Sequence, residues 1–150
     1  MQEALREAKK AFEHEDVPVA AVVVYRNRII SRACNQVELL RDPTAHAEMV
    51  AITQATNLLG SKWLLQASLY VTVEPCSMCA GALVLARIKE IIFGAKDPKT
   101  GACGSVVNIA DNRKLNHRIK VTGGVLDKEC ALLLQEFFRQ QRRRQAAVNN

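Results

Sequence analysis

Two short clusters, His46-Ala47-Glu48 and Pro75-Cys76-Ser77-Met78-Cys79, constrain this chain more than any other feature. One imidazole and two thiols suit a single divalent metal ion. A fold that uses them must carry two separate stretches of chain to one point. Three protein donors on zinc leave the fourth tetrahedral position for water, whereas a structural site normally closes all four. Glu48 stands beside the donors without being needed as one of them.

Spacing says where each residue should sit. Cys76 and Cys79 are three apart, so on a helix they share one face. At a helix N-terminus the macrodipole and free N–H groups favour thiolate over thiol. His46 and Glu48 are two apart and would diverge in mid-helix. They reach one site only if His46 lies at a helix start, and Asp42-Pro43-Thr44 supplies the start signal. Two thiolates and a neutral imidazole cancel the charge of Zn²⁺, which makes a poorer Lewis acid than a three-histidine site. Bound water falls toward a pKa of about 7 in favourable metal sites; here it needs a base, and Glu48 is the candidate.

The 150 residues form one domain large enough to bury a core. At 49% hydrophobic and 24% charged residues the composition is that of a soluble globular protein, and no apolar run approaches the ~20 residues of a membrane helix. The N-terminal residues are charged and lack the apolar stretch of a signal peptide. Five cysteines is an odd number, suited to a metal rather than a disulfide framework. The expected compartment is the cytoplasm. Cys34, Cys103 and Cys130 read as small packed residues. A net charge of +6 is compatible with a polyanionic partner, and Arg139, Arg142, Arg143 and Arg144 concentrate it near the C-terminus.

Apolar periodicity predicts helices over residues 2–13, 42–59, 76–87 and 127–144, and strands over 17–25, 29–35, 68–74, 90–95 and 119–122. The last helix carries Cys130, Leu133, Leu134, Phe137 and Phe138 as its apolar stripe. A hairpin followed by alternating helices and strands predicts a three-layer α/β/α domain. Its five-stranded sheet would be mixed and mostly parallel, with right-handed crossovers. The two metal half-sites would then lie where strands end and helices begin, the usual place for ligands in open α/β sheets.

His-x-Glu joined to a downstream Pro-Cys-x-x-Cys is the recognised signature of zinc deaminases that act on nucleobases. Beyond it, the chain resembles the bacterial tRNA-specific adenosine deaminases over nearly its full length. The likeness is carried by Asp16-Val17-Pro18-Val19, by Asp42-Pro43-Thr44-Ala45-His46-Ala47-Glu48-Met49, and by the run from Leu69 to Ala82. It continues through Phe93 to Gly101, then Leu115-Asn116-His117-Arg118, Gly123-Gly124-Val125-Leu126 and Phe137-Phe138-Arg139. The zinc motifs mark the whole cytidine deaminase-like superfamily; Asp-Pro-Thr-Ala-His-Ala-Glu, Leu-Asn-His and Phe-Phe-Arg favour the tRNA branch.

The resemblance implies hydrolysis of the wobble adenosine of a tRNA anticodon stem-loop to inosine. It implies one Zn²⁺ per subunit on His46, Cys76 and Cys79, with Glu48 as proton shuttle, in a homodimer. It implies that Asn35 contacts the flipped base or its nucleotide, that Asp97 and Lys99 contact the nucleotide, and that Phe138, Arg139 and Arg142 contact RNA. Ala20 stands where the family usually has glycine, and Cys34 where a bulkier residue is common. The chain also starts inside its first helix, which suggests a trimmed or atypical N-terminus. Two other functions share these residues: deamination of a free base or nucleoside (cytosine, cytidine or guanine), and a zinc-stabilised RNA-binding module without catalysis.

Overall fold

The computed structural model describes residues 1–148. Its elements are α1 (Gln2–Glu13), β1 (Ala20–Tyr25), β2 (Arg28–Cys34), α2 (Val37–Leu40), α3 (Ala47–Leu59), β3 (Ala67–Val73), α4 (Ser77–Leu85), β4 (Glu90–Ala95), β5 (Lys120–Thr122) and α5 (Asp127–Val148). The strands form one sheet in the order β2-β1-β3-β4-β5. β1 is antiparallel to both β2 and β3, while β3, β4 and β5 are parallel. β1 alone therefore runs against its neighbours, and α3 carries the chain from edge strand β2 across β1 to β3. The expected mixed sheet, opened by a hairpin, is present.

Small residues set the layer spacing. Ala4, Ala8 and Ala11 of α1 are fully buried, as are Ala47, Ala51 and Ala55 of α3. Their three- and four-residue spacing lines one side of each helix and lets the backbone lie close to the sheet. The main core gathers Ala21, Val23, Leu69, Val71, Ile91 and Phe93 of the sheet with Ala51, Ala55, Leu83 and Val84 of α3 and α4. On the other face α1 and α5 touch each other and pack on β1, β3 and β4.

α5 packs tightly on Gly94, where a Cβ would lie 2.4 Å from the Cys130 sulfur and 2.6 Å from the Thr72 carbonyl oxygen. Backbone on one side and a helix on the other leave nothing flexible to yield. Gly94→Ala is therefore expected to lower stability by about 1–3 kcal/mol through overpacking, seen as an earlier urea midpoint with an unchanged slope. An unchanged midpoint would mean that α5 is free to shift.

The structure differs from the sequence-based expectation at several element ends, β1 starting at Ala20 rather than Val17 and α5 running on to Val148. The more substantial differences lie at residues 42–46, α2 and Phe138. Residues 42–46 are not helical. Asp42 Oδ1 accepts bonds from the Thr44 N–H at 2.8 Å and the Thr44 hydroxyl at 2.7 Å, closing a turn that competes with helix. A four-residue helix, α2, precedes that turn and ends at Arg41 with φ 52°; it is too short for periodicity to reveal. Phe138 leaves the apolar stripe and is 44% exposed, while Phe137 packs edge-to-face on Phe12.

Candidate active site

α3 and α4 begin at the same place. His46 is the N-cap of α3 and Cys76 the N-cap of α4, both with extended backbone. Glu48 and Cys79 lie in the first turns that follow. The non-helical turn at 42–46 is what places His46 at the helix start, so its imidazole and the Glu48 carboxyl reach one site. The His46 Nδ1 atom lies 3.6 Å from the Cys76 sulfur and 3.5 Å from the Cys79 sulfur.

These three residues fit a zinc ion. Zinc–sulfur bonds of about 2.3 Å and zinc–nitrogen bonds of about 2.0–2.1 Å at the tetrahedral angle set donor atoms about 3.6 Å apart. Among the described residues, the donor atoms that cluster in this way are those of His46, Cys76 and Cys79.

The electrostatics agree. Hydrogen bonds from the Cys79 thiol and then from His46 pull Cys76 down to about 4, so it is a thiolate at neutral pH. Cys79 is driven upward, first by its bond to that thiolate and then by burial, so it keeps its proton until a cation arrives. The bond to Cys76 also raises His46.

Glu48 is 3% exposed, and its Oε2 is a buried atom with no hydrogen-bond partner. Burial, more than any neighbour, raises its pKa. An unpartnered buried oxygen is costly and marks a place where a ligand atom belongs. Glu48 lines a cavity of about 210 Å³ together with residues including Asn35, His46, Glu74, Cys76, Asp97 and Thr100. Pockets for drug-sized ligands run to roughly 300–1,000 Å³; this one is smaller. Two larger surface grooves, of about 750 and 660 Å³, border α5, and neither is lined by His46, Cys76 or Cys79.

Asn35 is aimed by a buried acid. Its Nδ2 donates to Asp16 Oδ1 at 3.0 Å, and Asp16 also accepts from the Val17 and Glu38 amides, each at 2.9 Å. A carboxylate only accepts, so the nitrogen of the amide must face it. Asp97 turns its carboxylate onto its own loop, accepting from the Lys99 and Thr100 amides and the Thr100 hydroxyl. Burial pushes Asp97 up, but those bonds outweigh it and hold the carboxyl below its usual range.

The remaining expected contact residues divide. Lys99, Phe138 and Arg142 line one surface groove. Phe138 and Arg142 also border a groove that shares Val17 with the cavity lined by Glu48. Arg139 ion-pairs with Glu136 and borders the groove toward Lys9 instead. Burial pushes the Cys103 thiol up to about 12 and Cys130 up to about 11, in keeping with inert packed residues. His117 of the Leu-Asn-His segment donates from Nε2 to the Ile88 carbonyl at 2.7 Å, where β4 begins; it staples a loop. Sequence reasoning assigned no role to Asp16 or Glu74. The available signal was a charged residue at the edge of each Val-rich segment, Asp16-Val17-Pro18 and Val73-Glu74-Pro75.

Residues 1–142 match the family described as MafB19-like deaminase. The chain is 47% identical over 148 residues to the tRNA-specific adenosine deaminase of Bacillus subtilis (strain 168), covering 99% of this chain and 92% of that protein. It is 54% identical over 139 residues to the tRNA-specific adenosine deaminase of Aquifex aeolicus (strain VF5), covering 93% and 91%. A solved structure from work on A-to-I editing by tRNA A34 deaminases at the wobble position superposes with a TM-score of 0.86 at 43% identity, covering 89% of this chain and 97% of that one.

Proposed function

We propose that this chain, which belongs to the MafB19-like deaminases and within them to the tRNA-specific adenosine deaminases, converts the wobble adenosine of a tRNA anticodon to inosine by hydrolysis. One observation carries the chemistry: Glu48, with a buried and unpartnered carboxyl oxygen, lines one small cavity with residues of a three-donor cluster fit for a metal.

His46, Cys76 and Cys79 would hold one Zn²⁺ per subunit. When bound, the ion supplies Lewis acidity that makes water a competent nucleophile at neutral pH. The target adenosine must leave its stack to reach the cavity, which is least costly in a single-stranded loop. Glu48 accepts a proton from the attacking water and delivers it to adenine N1 as the new C–O bond forms at C6. Glu48 then takes the proton of the new C6 hydroxyl, whose oxygen becomes the carbonyl, and passes it to the exocyclic amine. The C6–N bond breaks, ammonia leaves and inosine remains. The burial that raises the Glu48 pKa suits a group that must donate as readily as it accepts. Asn35, held by Asp16, contacts the base; Asp97 and Lys99 lie along the nucleotide.

RNA follows α5. Phe138 offers an exposed ring for stacking and Arg142 a guanidinium beside it, with Lys99 on the same groove; Arg139 adds charge at the edge. Phe138→Ala combined with Arg142→Ala is expected to weaken anticodon-hairpin binding about tenfold or more, since stacking on an aromatic ring is worth about 1–3 kcal/mol per base. The slope of log affinity against log salt should become shallower by about one with the lost phosphate contact. Unchanged affinity in a filter-binding titration would remove α5 from the RNA path. The chain acts as a homodimer in the cytoplasm. Among the described residues no helix is long and apolar enough to cross a membrane.

Incubating the zinc-loaded protein with an adenosine-bearing anticodon hairpin and measuring inosine tests the reading. Ammonia from free cytosine, cytidine or guanine, with none from the hairpin, would favour a deaminase of free bases or nucleosides. Metal-dependent RNA binding without ammonia release would favour a zinc-stabilised binding module.

A further inference from the structure

Glu74 is a buried carboxylate outside the proton path. It directly follows β3, two residues before Cys76, and is 3% exposed. An ionised carboxylate accepts hydrogen bonds and donates none, so burying one requires several donors. Glu74 has four, all from the segment after β4. The Asp97 N–H donates to Oε2 at 3.1 Å. The Cys103 and Ser105 N–H groups donate to Oε1, each at 3.0 Å. The Ser105 hydroxyl donates to Oε2.

The segment is folded around this charge, and Asp97 repeats the device one step further out with Lys99 and Thr100. Gly101 shows how closely the parts fit. A Cβ there would lie 2.5 Å from the Glu74 carboxyl carbon and Oε2, and 2.5 Å from the Asp97 carbonyl oxygen. Asp97, Thr100 and Glu74 border the cavity that Glu48 and Asn35 border too.

Resting on the reading that this cavity takes the flipped adenine, we infer that Glu74 is a positioning residue, whose charge pre-orders residues 97–105 so that one side of the cavity is built before RNA arrives. A segment left disordered would have to be ordered on binding, at a cost in affinity. The effect belongs in KM, because Glu74 moves no proton in the reaction.

Three variants test this from different sides. Glu74→Gln turns an amide N–H₂ group toward backbone donors. Gly101→Ala pushes on the same contact from the loop. Ser105→Ala removes one hydroxyl at an exposed position and leaves the fold intact. Inosine kinetics on the anticodon hairpin are measured with zinc content and amide hydrogen exchange. The expected KM rises about tenfold for Glu74→Gln and Gly101→Ala and about threefold for Ser105→Ala, the scale of a charged hydrogen bond lost in whole or part. The expected kcat stays within about twofold of the parent, zinc content is unchanged, and the amides of Cys103 and Ser105 exchange faster. A merely structural role would lower the unfolding midpoint and leave KM where it was. With an active parent, unchanged KM in both Glu74→Gln and Ser105→Ala overturns the inference. So does a fall in kcat at constant KM, or loss of zinc. A parent that forms no inosine overturns the functional reading, and this inference with it.

Discussion

Glu48→Ala is expected to keep its zinc and lose its chemistry, with inosine formation on an anticodon hairpin falling at least about a thousandfold. Glu48 lies within the site but outside the donor cluster, so its removal leaves His46, Cys76 and Cys79 intact. What disappears is the group that carries protons from water to the base and then to the amine. Stability should move the other way. Glu48 Oε2 makes no hydrogen bond in the folded protein, so alanine forfeits none at that oxygen and relieves a desolvated carboxyl.

The pH dependence has a definite sign. Burial raises the folded-state pKa of Glu48, so the native protein holds a proton that the unfolded chain gives up. The parent is therefore penalised as pH rises above the ordinary carboxylate range. In zinc-free protein, the stability of Glu48→Ala relative to the parent should improve between pH 4 and pH 8 by urea denaturation, on the order of 1 kcal/mol per unit of pKa shift. A variant that deaminates at the parental rate would refute the shuttle. One that loses zinc would show that Glu48 is a ligand.

Cys79→Ala is expected to bind zinc at least about a hundredfold more weakly, since even outer-shell partners of metal ligands are worth about 10–100-fold. Metal content after dialysis against a mild chelator measures it. The parent's affinity should also depend on pH, in a direction set by the resting proton inventory. Cys76 is already a thiolate, held near 4 by the Cys79 thiol and His46. Cys79 is pushed upward and keeps its proton, and His46 is raised by its bond to Cys76. Zinc must therefore displace at least the Cys79 proton. Affinity should fall about tenfold per pH unit on acidification for each proton released, and the heat of binding should vary with the ionisation enthalpy of the buffer. Affinity that is flat from pH 6 to pH 8 would mean that both thiols were already ionised.

The clustering of His46, Cys76 and Cys79, with Glu48 beside them, was readable because coordination chemistry asks for particular atoms at short spacings. Cys76 and Cys79 needed one helix turn, and His46 with Glu48 needed a helix start. The strands were readable where burial leaves unbroken Val- and Ile-rich runs, as in β1 and β4. The helix start was misplaced by five residues, 42 against 47, because Asp42 serves a turn as well as it serves a cap. Phe138 looked like core because it sits beside Phe137 in the stripe; only the position of α1 decides which ring it covers. Asp16 and Glu74 carried no chemistry on their own, since their roles consist entirely of the donors that other segments bring to them.

The identity of the chemistry was thus determined by the chain as written, because thiol, imidazole and carboxyl differ intrinsically in what they bind and what they transfer. Convergence was decided by the tertiary structure. Strand order β2-β1-β3-β4-β5 brings the starts of α3 and α4 together, and burial leaves one oxygen of Glu48 without a partner. The segment after β4 is folded onto Glu74 by bonds between residues more than twenty positions apart. Contacts of that range depend on how sheets pair and layers pack, which no local pattern of residues encodes.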